Sequence, residues 1–162
     1  MTESEKMHAG EWYFASDKGL SAQRMDAKQA CHALNALAPD NIKARKQALK
    51  ALLPNAKGAW IEPNFFCDYG YNIRAQNGLF VNHNVVMLDG ATINFGANVF
   101  IAPNVVISTT SHHMDAQKRS RGLCRSKPIC IGNNVWIGAN VSILGGVNIP
   151  DNTVVPAGSV LR

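Results

Sequence analysis

ICIGNNVWIGANVSILGGVNIPDNTVVPAGSVLR, residues 129–162, decides the fold. Within it Ile131, Ile137, Ile143, Ile149, Val155 and Leu161 recur in strict steps of six. Two places before each stand Ile129, Val135, Val141, Val147, Thr153 and Ser159. Side chains alternate in and out along a strand, so this pairing marks a short strand with one apolar face. Between the pairs lie turn formers: Gly132-Asn133-Asn134, Gly138-Ala139-Asn140, Pro150-Asp151-Asn152 and Pro156-Ala157-Gly158. A six-residue repeat of strand plus corner predicts a parallel β-helix, three repeats closing one triangular coil of about eighteen residues. Stacked coils then bury a continuous aliphatic column. A sandwich would space its turn signals more loosely, at about 8–12 residues.

The same pairing runs upstream as Ile93/Phe95, Val99/Ile101 and Val105/Ile107, with Val81 and Met87 beyond them. The register slips by two residues between Met87 and Phe95, and it breaks again over roughly 110–127. Residues 1–57 lack the period and read as a small helical cap, leaving 58–162 as the β-helix domain with a protruding loop at about 110–127. In the cap, Ser21 and Asp40 are expected to start helices over about 22–37 and 41–53, and Pro39 and Pro54 to end them. The fold class expected is therefore all-β, a parallel β-helix with a helical N-terminal cap.

Hydrophobic residues make up 46% of the chain and charged residues 17%, a balance that buries a core and excludes a disordered polyelectrolyte. The net charge is +5, and most Lys and Arg lie in the first 50 residues and in 118–127, which read as a solvated helix face and a wet loop. No basic stripe with interleaved aromatics appears, so no nucleic-acid partner is expected. Cys31, Cys67, Cys124 and Cys130 form no Cys-x-x-Cys pair, which argues against a zinc knuckle. Met1–Gly10 is polar and no apolar run reaches membrane-spanning length. A cytoplasmic location, no membrane contact and no metal are expected.

Several motifs resemble the hexapeptide-repeat O-acetyltransferases that act on maltose, galactosides and nodulation factors. They are Ile131 to Gly138, Ile61-Glu62-Pro63, Cys67-Asp68-Tyr69-Gly70-Tyr71-Asn72-Ile73, Asn82, Val86-Met87-Leu88-Asp89, Ala102-Pro103 and Met7-x-Ala9-Gly10-Glu11-x-Tyr13. The likeness to the maltose enzymes is the strongest. It implies a left-handed coil, a homotrimer with active sites between subunits, acetyl-CoA as cosubstrate and a small sugar as acceptor. The family continues past Arg162 with a further coil and a CoA-contacting tail, so the C-terminal end is expected to be truncated.

Acetyl transfer from a thioester to an alcohol needs a base, donors for the oxyanion and two binding sites. His112 and His113 on their own read as two solvated loop histidines. The resemblance makes His112 the base, and puts His113 where the family has proline, as a rival. It sets Asn82 beside the reacting centre, Asp17, Asp68 and Asp89 at the acceptor, and Trp136, Ala139 and Ala157 along the pantetheine channel. Each also has an ordinary role as a corner or cap residue. Three other readings stay open: a non-sugar acceptor such as an antibiotic or amino acid, a non-catalytic trimeric scaffold, and a zinc lyase of the γ-carbonic-anhydrase type. For the last, the five histidines have the wrong spacing.

Overall fold

Five stacked turns of parallel coil carry the molecule, and a computed structural model describes all 162 residues of it. Four short elements precede the coil: α1 (Glu3–His8), β1 (Tyr13–Phe14), α2 (Lys18–Asn35) and α3 (Ile42–Leu52). The first turn is β2 (Trp60–Ile61), β3 (Phe65–Cys67) and β4 (Ile73–Ala75), and the second is β5 (Phe80–Val81), β6 (Val85–Leu88) and β7 (Ile93–Phe95). The third starts with β8 (Phe100–Ile101) and β9 (Val106–Ser108). An arm then leaves the coil as β10 (Thr110–His112), α4 (Ala116–Ser120) and β11 (Leu123–Ser126), and β12 (Ile129–Ile131) resumes it. The fourth is β13 (Trp136–Ile137), β14 (Ser142–Leu144) and β15 (Asn148–Ile149), followed by β16 (Val154–Val155) and β17 (Val160–Leu161).

The strands stack into three faces. The first is β2-β5-β8-β13-β16, the second β3-β6-β9-β14-β17 and the third β4-β7-β12-β15. All pairings within these faces are parallel and in register, as with Val81↔Ile101 and Met87↔Ile107. The repeat residues Ile131, Ile137, Ile143, Ile149 and Val155 point inward and are buried, together with Ile129, Val135 and Val141. Asparagine takes the left-handed backbone at six corners: Asn84, Asn98, Asn104, Asn134, Asn140 and Asn152. Its short polar side chain tolerates that region better than other non-glycine residues do.

The two-residue slip has a place. Trp60 pairs with Phe80 and Phe80 with Phe100, whereas Trp136 pairs with Val154, so the first two coils are two residues longer than the fourth. The extra residues sit at the corner between the second and third faces, in Asp68–Asn72 and Asp89–Thr92. The arm leaves from the same edge one coil further on.

Relative to the spacing, α2 starts four residues earlier and α3 one residue later. Asp17, not Ser21, caps α2, its Oδ1 accepting from Leu20 N at 3.0 Å, and Asn41, not Asp40, caps α3. Residues 3–8, read as a plain polar terminus, form a helix with a Thr2/Glu5 capping box. On α2, Cys31 and Leu34 press on the coil, Cys31 Sγ lying 3.8 Å from Cys67 Sγ, both free thiols. Arg45 of α3 is buried over Trp60 and donates to Ile61 O at 2.8 Å. No helix is long and apolar enough to cross a membrane.

Candidate active site

The arm at 110–126 is a braced hairpin whose helical tip, with Lys118, Arg119 and Arg121, stays exposed to solvent. β10 and β11 pair antiparallel, with Thr110↔Ser126, Ser111↔Arg125 and His112↔Cys124, and β1 adds a third strand through Tyr13↔Cys124 and Phe14↔Leu123. At its root, Tyr13 Oη lies 3.0 Å from Ser126 Oγ, which lies 2.9 Å from Thr110 Oγ1. Gly90 passes directly beneath, where a Cβ would collide with both hydroxyls. Arg125 Nε donates to Gly10 O at 2.6 Å.

His112 is exposed at the end of β10, its Nδ1 3.3 Å from Cys124 Sγ. His113 differs. Trp12 tilts against its ring at 4.5 Å, and its Nδ1 accepts from Asp115 N at 3.0 Å. That bond puts the proton of the neutral ring on Nε2, so neither nitrogen has a free lone pair. Arg119 Nη1 donates to the carbonyls of His113 and Met114, which holds the turn where the resemblance expects proline.

Beside the arm, Asp68 is half-buried, and burial pushes its carboxyl above the ordinary range against the attraction of Arg24 and Lys28. Arg24 reaches over from α2, its Nη1 donating to Tyr69 Oη at 2.8 Å and its Nη2 to Ala15 O at 2.5 Å. Burial pushes the Tyr69 hydroxyl up to about 12. It also raises the Cys124 thiol, which Arg24 opposes. Arg24 thus lies within electrostatic reach of both Asp68 and Cys124, and Cys124 in turn touches His112. Asp17 uses one carboxylate oxygen to cap α2 and stands next to the turn that Arg24 holds.

Asp89, expected at the acceptor, faces the interior of this chain. It is 0% exposed. Its Oδ1 accepts from Asp68 N and Tyr69 N at 3.1 and 2.8 Å, and its Oδ2 from Gly70 N and Asn72 N at 2.8 and 3.3 Å. Burial pushes this carboxyl up, to about 7, against the backbone donors that favour the anion. The enlarged corner leaves amides that no ladder can satisfy, and one carboxylate satisfies them. Asp89 orders the segment that carries Asp68.

The remaining residues lie elsewhere in the chain. Asn82, Ala139 and Ala157 follow β5, β13 and β16, so they line the edge between the first and second faces. Asn82 Oδ1 accepts from His83 N at 2.8 Å, leaving the amide NH2 as a donor. Ala139 and Ala157 are on adjacent coils, joined by Gly158 N donating to Ala139 O at 2.8 Å. Trp136 stands 57% exposed on the first face. His112 and Asp68 lie on the opposite edge of the second face. The four residues of β6 separate the two edges by roughly 13 Å at about 3.3 Å each. One chain therefore does not bring Asn82 to His112.

Two family models match the chain: the maltose acetyltransferase hexapeptide capping motif over residues 6–57, and the bacterial transferase hexapeptide (six repeats) over 131–162. A maltose O-acetyltransferase from Clostridium difficile is 40% identical and superposes with a TM-score of 0.95 over 100% of this chain and 87% of its own. The chain belongs to the hexapeptide-repeat O-acetyltransferases. A galactoside acetyltransferase solved in complex with coenzyme A is 36% identical, with a TM-score of 0.92 over 98% of this chain and 80% of its own. A putative acetyltransferase of Saccharomyces cerevisiae is 45% identical over 74% of this chain, which spans 62% of that protein's length. A mirror-image coil would not superpose this well, so the coil has the family's left-handed sense.

In this O-acetyltransferase-family chain the sequence pattern missed Arg24, Tyr13 and Cys124. Arg24 belongs to a basic stretch that reads as a solvated helix face. Cys124 meets His112 only through strand pairing, and Tyr13 pairs with Cys124 from 111 residues away in sequence. The one available signal was the aromatic run at 12–14 beside a broken repeat. Within one chain no three His, Cys, Asp or Glu side chains are grouped so as to hold a metal ion.

Proposed function

We propose that the protein is an acetyl-CoA-dependent O-acetyltransferase whose acceptor is a hydroxyl of a small sugar. The observation that carries this reading is the exposed, strand-braced His112 with Cys124 at its Nδ1, in a chain of this family whose Arg24 reaches both Cys124 and the half-buried Asp68. His112 takes the proton of the acceptor hydroxyl, and its oxygen attacks the thioester carbonyl. The tetrahedral intermediate collapses with loss of the C–S bond, and His112 returns the proton to the leaving sulfur. Asp68 and Asp17 accept hydrogen bonds from sugar hydroxyls. Asn82 donates through its free NH2 to the acceptor or the oxyanion. Trp136, Ala139 and Ala157 flank the pantetheine chain, where small corner residues permit close approach. His113 is unsuited to the base role because both its nitrogens are engaged or protonated.

The working unit in this reading is a homotrimer. Outward on the first and second faces stand Phe66, Phe100, Val106, Trp136, Val154 and Val160, all exposed, Phe100 at 54%. The third face shows Arg74, Asn94, Cys130 and Asn148 instead. Two different apolar faces suit a head-to-tail interface that closes into a ring. Such a ring supplies from a neighbour the half-site that one chain lacks. The four free thiols fit a reducing cytoplasm.

The test is thiol release from acetyl-CoA with glucose, maltose, galactosides, chitin fragments, an aminoglycoside and serine. Sugar-dependent release supports the reading. Faster release with serine or the antibiotic reassigns the acceptor, and no acceptor-dependent release sinks the proposal in favour of a scaffold. Sedimentation of Phe100→Asp should give a smaller species than the unaltered chain.

A further inference from the structure

We infer that Cys124 is a positioning residue that holds His112 in its base-competent form, with the proton on Nδ1 and a bare lone pair on Nε2. The inference rests on the reading of His112 as general base. Cys124 sits directly across the hairpin from His112, between β10 and β1. It is 2% exposed, so acceptor and solvent do not compete for the sulfur. Its Sγ has two neighbours: His112 Nδ1 at 3.3 Å and Gly122 O at 3.5 Å.

The thiol has one hydrogen to give. Gly122 O can only accept, whereas an imidazole nitrogen can accept or donate. Giving the S–H to the carbonyl satisfies both contacts: the sulfur lone pair then faces Nδ1, which must carry the proton. Giving it to Nδ1 instead would move the ring proton to Nε2, the nitrogen that bonds no protein group. A ring protonated there cannot take a hydroxyl proton. The thiol stays protonated because burial raises it. A carboxylate or carbonyl commonly fixes a catalytic histidine in this way. A neutral thiol does so without adding a charge to the acceptor cleft.

Ring 15N shifts of His112 in the unaltered protein, assigned by comparison with His112→Ala, test the tautomer directly. Shifts of a protonated Nδ1 and bare Nε2 support the inference, and a protonated Nε2 overturns it. Cys124→Ala should move the proton to Nε2 and lower kcat about 10- to 100-fold with the KM for acetyl-CoA unchanged. Cys124→Ser keeps a donor and an acceptor at the site and should restore most of kcat. Cys124→Ala with full kcat and unchanged ring shifts overturns the inference. So does an acetyl group found on Cys124 by mass spectrometry after reaction, which would make it a nucleophile. Undiminished turnover by His112→Ala would refute the base reading instead, and the ring shifts would still report the tautomer.

Discussion

Replacing Asp89 by Asn separates a carboxylate that binds sugar from one that orders a loop. At pH 8.5 the carboxyl is ionised, and its two oxygens accept from the amides of Asp68, Tyr69, Gly70 and Asn72. In the variant one oxygen becomes an NH2. Two amide donors then face a donor in a site that water does not enter. Each unsatisfied buried donor costs about 1–3 kcal/mol, so the segment should lose roughly 2–6 kcal/mol of local stability. Hydrogen exchange at residues 68–72 should accelerate at least about tenfold, since about 1.4 kcal/mol is a factor of ten. Acceptor KM should rise only as a consequence of displaced Asp68. Unchanged exchange at these amides, with a raised acceptor KM, would refute the reasoning and return Asp89 to the acceptor.

Other outcomes follow from the same geometry. His112→Ala should lower kcat by about 10²–10⁴ with little change in melting temperature, because the ring is exposed; His113→Ala should keep most activity and loosen the arm, seen by exchange at 113–115. Burial raises Asp68, so its ionised form is lost on acidification at a higher pH than for an ordinary carboxylate. The acceptor KM should therefore rise as pH falls through that raised value, and Asp68→Asn should remove this limb of the profile. Gly90→Ala should cost about 1–3 kcal/mol, read by urea unfolding, and should lower kcat, because the new methyl displaces the Ser126 and Thr110 hydroxyls at the root of the arm.

The linear chain settled the coil, because each strand buries its own aliphatic residues at a fixed local spacing and repeats the choice at every turn. Even the enlarged corner was visible, as a two-residue slip between Met87 and Phe95. Helix starts were less legible: Asp17 and Ser21 are both good caps, and only the packing of Leu20 and of the turn before it selects Asp17. The site depended on contacts that no local pattern encodes. Whether Asp89 touches a sugar or four amides turns on which side of a corner it faces, and Asp68, at the same corner one coil away, ends half-buried. The resemblance alone preferred His112; that both His113 nitrogens are engaged or protonated shows only once Trp12 and the Asp115 amide are in place around it. Periodicity is a short-range property and survives in one dimension; hydrogen-bond partners drawn from strands 100 residues apart exist only after the chain has folded.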